Sequence, residues 1–113
     1  MQECDAAKKG YDEALSIYQE LAKRNPEVFL PNVVMTLNNL GALYLLTVFD
    51  KTTDKQRSLD YLAEALSIAL PHGDNRPYKE YAGKAWKIAN DWNLDSEELA
   101  AFYRRVGATN VSA

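Results

Sequence analysis

Glu13-Ala-Leu-Ser-Ile17 recurs letter for letter as Glu64-Ala-Leu-Ser-Ile68, and a proline stands twelve residues beyond the alanine of each copy, at Pro26 and Pro77. A chain of 113 residues that repeats a phrase together with its punctuation reads as a repeated structural unit, and repeat architectures usually bind rather than catalyse. Around the first copy, Tyr11, Ala14, Leu15, Tyr18, Leu21 and Ala22 recur at three- and four-residue steps, which places them on one helical face. Asn25-Pro26 ends that helix, because the residue before proline is pushed out of the helical region.

The same reading continues along the chain. Proline is tolerated in a first turn, where its missing N–H has no partner to lose, so a second helix is expected to begin at Pro31. Its stripe is Val33, Leu37, Leu40, Tyr44 and Val48, flanked by Val34, Gly41 and Leu45. Asp50–Asp54 is a polar break, and Thr53 with Gln56 has the spacing of a capping box that opens a third helix. Leu59, Leu62, Ala63, Leu66, Ala69 and Leu70 form its inward face, and Gly73 suits its end. Asn75 is placed to cap a fourth helix carrying Tyr78, Tyr81, Ala82, Ala85, Trp86 and Ala89. Asp95 and Glu98 repeat the capping-box spacing before a short helix with Leu99, Phe102, Tyr103 and Val106 inward, stopped by Gly107. No segment alternates with period two for long enough to be a strand. The expectation is an all-α fold of about five helices, a single domain over residues 1–107 with a frayed tail at 108–113.

Composition narrows the function classes. An apolar fraction of 47% permits a real core. The net charge of −3 is mild and both signs alternate along the chain, which describes a solvated surface and argues against a nucleic-acid face. Val28–Phe49 is apolar, but Pro31, Asn32, Asn38 and Asn39 interrupt it, so it reads as a buried helix rather than a membrane span. Met1-Gln-Glu-Cys-Asp has neither a basic nor an apolar stretch, so no signal peptide is expected. The lone Cys4 gives no internal disulfide and no sign of an oxidising compartment, and a cytoplasmic protein is the expectation.

Leu37, Leu40-Gly41 and Tyr44 on the second helix, then Ala65 and Pro77 on and after the third, match the two-helix pattern of the tetratricopeptide repeat. Leucine stands where that family prefers tryptophan, and Ala69 replaces its second-helix aromatic. Ala14, Tyr18 and Pro26 repeat the second half alone. Met35-Thr-Leu-Asn-Asn-Leu-Gly41 resembles the longer variants of the repeat found in bacteria and in kinesin light chains. The resemblance covers about Tyr11 to Pro77 and weakens beyond. It implies a right-handed array of antiparallel helix hairpins, an α-solenoid, whose first helices line a groove that holds a peptide. Two departures stand against it: Ala14 and Ala65 are 51 residues apart, whereas the family period is about 34. The first helix also resembles the second of a pair without its partner, so either the array is longer or another chain covers its flank.

The groove implied by the resemblance is lined by Asn32, Thr36, Asn39 and Leu43. Asn38 and Asn39 either offer amides to a peptide backbone or bond locally. The family's cation clamp for acidic C-termini is not matched, since Lys84 and Lys87 have a different spacing from the usual Lys-x-x-x-Arg. Trp92 breaks the stripe of its helix at the end and is a candidate contact residue. Gly41 in mid-helix costs about 1 kcal/mol relative to alanine, for which close approach of another helix is one reason and simple tolerance the other. His72, the only histidine, has no Cys or paired carboxylate near it in sequence, and no serine carries a Gly-flanked elbow. No catalytic, metal or cofactor site is therefore expected. The expected partner is a protein or peptide, with a homo-oligomer through the unpaired first helix as the alternative, and no nucleic acid or membrane.

Overall fold

A computed structural model describes residues 2–46 and 51–112, with side chains from 6 to 46 and from 53 to 107. The described residues are all-helical: α1 Gln2–Arg24, α2 Pro26–Leu46, α3 Lys51–Ala69, α4 Arg76–Asp91 and α5 Ser96–Ser112, with a 3₁₀ turn at Leu70–His72. Asn25 alone separates α1 from α2, and its carbonyl accepts from the Val28 and Phe29 amides to start the new helix at once. Pro31 therefore lies inside α2 rather than at its start. Its missing N–H strands only the Glu27 carbonyl, which sits in an exposed first turn within reach of water, so the kink penalty of an interior proline is small.

Other boundaries also move. Thr53 is already within α3, so Thr53 and Gln56 form no capping box; Gln56 instead donates to Asp60 at 2.9 Å. The Asp95–Glu98 box is real, with each backbone N–H donating to the other's carboxylate at 3.1 and 2.8 Å. Asn75 occupies the cap position of α4, but its side chain makes no capping bond. Gly107 does not stop α5, which continues helically to Ser112. Leu70 and Tyr103, expected inward, are exposed, because Leu70 falls in the 3₁₀ turn and Tyr103 sits on the outer side of Trp86. Val48 lies outside the described residues.

The packing is in two layers. Tyr61 on α3 donates to Asp12 on α1 at 2.9 Å; Lys55 meets Glu98 at 2.7 Å, and Arg105 approaches Asp60 at 3.8 Å. The two α3–α5 pairs advance together along both helices, so these run parallel, with α3 between α1 and α5. The second layer is α2 beside α4, joined where the Asn38 amide donates to the Tyr81 carbonyl at 3.0 Å. Lys8, early in α1, lies over the ring of Tyr44, late in α2, at 4.4 Å, so that pair is antiparallel. Among the described residues α4 and α5 meet through side chains, Trp86 edge-on to Phe102 and tilted against Tyr103, rather than through close backbones. The radius of gyration of 13.7 Å is near the ~13 Å of a compact domain of this size, so the helices form one body.

Leu37, Leu40, Leu62 and Leu66 are wholly buried at the centre. Gly41 explains how α2 and α3 come so close: a Cβ there would lie 2.6 Å from Leu62 Cδ2 and 2.7 Å from its Cγ. Close approach, not tolerance, is the reason for this glycine. The contact is pinned by a buried relay in which Trp92 Nε1 donates to Ser58 Oγ at 2.7 Å and Ser58 Oγ donates to the Gly41 carbonyl at 2.8 Å.

Candidate functional site

α2 is apolar on nearly every side, so its neighbours rather than its sequence decide which face stays open. α1 and α3 take the faces bearing Leu37, Leu40, Gly41 and Tyr44, and α4 takes that of Asn38. What remains, between α1 and α4, carries Val28, Met35, Asn39, Ala42 and Leu46, spaced by 7, 4, 3 and 4 residues and so in one row. Leu46 is 79% exposed, Val28 55% and Met35 43%, unusual values for large apolar side chains on a central helix. Asn32 and Leu43 flank the row and are half-buried, as is Asn39.

Of the residues expected in a groove, Asn32, Asn39 and Leu43 thus border this surface. Thr36 does not: it is buried, and its hydroxyl turns back to donate to the Asn32 carbonyl at 2.7 Å. Asn38 is 1% exposed and holds α4 rather than facing a ligand. Trp92 is likewise corrected, being 7% exposed with its indole spent on Ser58. Its place at a helix end suggested exposure, but the chain turns there through Asn93 (φ 56°) and folds the ring inward. Val28, Met35 and Leu46 were missed because an apolar helix gives no polar face to mark its outside. Their common row was the one available signal.

The chemistry of this surface is recognition by shape and backbone bonding. Among the described residues the Asn39 amide makes no hydrogen bond, so it has two donors and an acceptor to offer. The Met35 thioether is flexible and adapts to different apolar partners. Lys84 and Lys87 are exposed on α4.

Three other concavities are better accounted for within the chain. The cleft between α3 and α5, about 460 Å³, has Leu59 and Phe102 as its floor, and its rim charges are spent on the Lys55–Glu98 and Asp60–Arg105 pairs. Hydrogen bonding by Lys55, then by the Asp95 amide, holds the Glu98 carboxyl below the usual range. A second hollow at the α1–α2 opening holds Lys8, Asp12 and Tyr44. Beside it Tyr44 stacks on Tyr61 with ring centroids 5.9 Å apart, and burial, then the bond to Asp12, raises the Tyr61 hydroxyl well above its ordinary pKa. A third, smaller one at the α1–α2 turn is lined by Leu30, Val33, Ile68 and Glu64, whose carboxyl is pushed up by burial. His72 is exposed and stacked on Tyr78 at 4.6 Å, and no cluster of metal-ligating side chains occurs among the described residues.

By length and composition α2 could also cross a membrane, a test that the core helix of a folded domain passes equally. No protein-family model, no curated protein and no solved structure matches the chain.

Proposed function

We propose that this protein is a non-enzymatic interaction module of the tetratricopeptide type, holding a protein segment against the open face of α2. The observation that carries the reading is the row of Val28, Met35 and Leu46, left exposed on a helix whose other faces are buried. Large apolar side chains left exposed in one helical row, rather than scattered singly over the surface, mark a candidate contact surface. The alternation of successive helices between two layers, α1, α3 and α5 in one and α2 and α4 in the other, supports the family reading. The loose meeting of α4 and α5 departs from a regular hairpin there.

In this reading apolar side chains of an extended segment pack on Met35 and Leu46, and the Asn39 amide bonds its backbone. Apolar burial gives the affinity, and the fixed position of Asn39 gives the register. The test is capture of partners from native extract by the wild-type protein and by Asn39→Lys. The variant is expected to lose the partner while keeping normal helical circular dichroism. Equal capture by a folded variant overturns the proposal.

A further inference from the structure

We propose that α1 pairs with α1 of a second copy of this chain, antiparallel and centred near Ala14, through the face turned away from α2. That face carries the exposed Gly10 and Ile17, the latter 59% exposed, with the half-buried Ala14 and Leu21 along its edge. Gly10, like Gly83 and Gly107, is a helical glycine that the chain's own packing does not require, and it alone of the three lies beside an exposed isoleucine on the same helix. A glycine in mid-helix weakens the helix, and a Cβ built at Gly10 meets nothing within 4 Å, so nothing in its own fold requires it. A second helix crossing closely there would.

Charge selects the direction of pairing. Along one edge of the apolar row run Lys9, Glu13, Ser16 and Glu20, all exposed. In a parallel pair each charge meets its own kind. In an antiparallel pair centred near Ala14, Lys9 of each copy lies alongside Glu20 of the other, giving two symmetric ion pairs. Glu20 now holds only Lys23 of its own helix, at 2.9 Å and in full solvent, a contact easily exchanged. The same register sets each Ile17 in the open space over the other copy's Gly10. Glu13 lies beside the axis, opposite Ser16 and near its own mate, so this register carries one repulsion. The pairing face is distinct from the open face of α2, so both surfaces work in one assembly, and the failure of one proposal leaves the other standing.

Sedimentation equilibrium of the full chain across a concentration series should show the mass rising from 12.7 kDa toward twice that value. Ile17→Glu is expected to weaken the pair by about tenfold or more, the effect of removing one buried branched side chain from each copy. Lys9→Glu and Glu20→Lys should each weaken it, and the double exchange should restore it, which a folding defect does not do. Glu13→Gln should tighten it. With Cys4→Ser in the background, Ala14→Cys should oxidise to a linked dimer. Glu20→Cys should not, because the two positions lie about 18 Å apart along the helices at 1.5 Å per residue. A monomer at every concentration, equal cross-linking at both positions, or no restoration by the double exchange overturns the proposal.

Discussion

Gly41→Ala tests the packing at the centre of the fold. In an ordinary helix interior this change stabilises, by about 1 kcal/mol, because alanine costs less backbone entropy. Here the new methyl would stand 2.6 Å from Leu62 Cδ2 and 2.7 Å from Leu62 Cγ, against the ~3.5–4.0 Å of relaxed carbon contacts. Rotating one leucine methyl does not relieve an overlap with Cγ. Leu62 is wholly buried, so it has no free space to enter. The helices must separate, which also strains the Ser58 bond to the Gly41 carbonyl. Overpacking of this kind costs about 1–3 kcal/mol, so the net effect is a loss of up to ~2 kcal/mol rather than a gain. At roughly 4 °C per kcal/mol for a domain of this size, Tm falls by several degrees. The sign should reverse in a Leu62→Ala background, where the overlap is gone and the added methyl fills part of a cavity. Urea unfolding of the four proteins, followed by circular dichroism, measures both effects. If Gly41→Ala stabilises the wild type, or acts equally in both backgrounds, the close approach of α2 and α3 is refuted.

Trp92→Phe removes the indole donor from the buried Ser58 hydroxyl and should cost about 1–3 kcal/mol in chemical denaturation, with Trp92→Phe and Ser58→Ala together costing less than their sum; strict additivity would deny the relay. Burial raises the Glu64 carboxyl pKa in the fold, so its favourable contribution is fully present below the ordinary carboxyl pKa and is lost as pH rises through the folded value. Glu64→Gln should therefore raise Tm at neutral pH, with the difference fading in acid, and a lower Tm at neutral pH would contradict this. Glu98 behaves oppositely, since Lys55 and the Asp95 amide depress its pKa. Its contribution is present above the ordinary carboxyl pKa and disappears as pH falls through the folded value. A nuclear magnetic resonance titration should find its midpoint below that of a free glutamate, and a normal or raised midpoint would count against the pairing.

Short-range signals were legible in the sequence where the chain itself closes the interaction. The Asp95–Glu98 box needed only residues three apart, and the Asn25-Pro26 stop needed only its neighbours. Pro31 misled because in the second turn it strands only the exposed Glu27 carbonyl, so the helix can begin five residues earlier, at Pro26. Thr53 misled because a capping pattern has no force once the helix has begun at Lys51. The burial of Trp92 depends on Ser58, 34 residues away, and no periodicity reports such a partner. The candidate surface shows the same limit. Asn39 was marked by its polarity on an apolar helix, but Val28, Met35 and Leu46 look like core until α1, α3 and α4 have taken their places around α2.

The central claim is that this open face of α2 receives a protein segment. Peptides selected from a random display library for binding to the protein can be titrated into isotope-labelled chain, with the Asn32 and Asn39 side-chain amides and the Met35 methyl as reporters. The account predicts shifts concentrated at these three groups and abolished by Asn39→Lys. Shifts confined to the α3–α5 cleft around Lys55, Phe102 and Arg105 would contradict it.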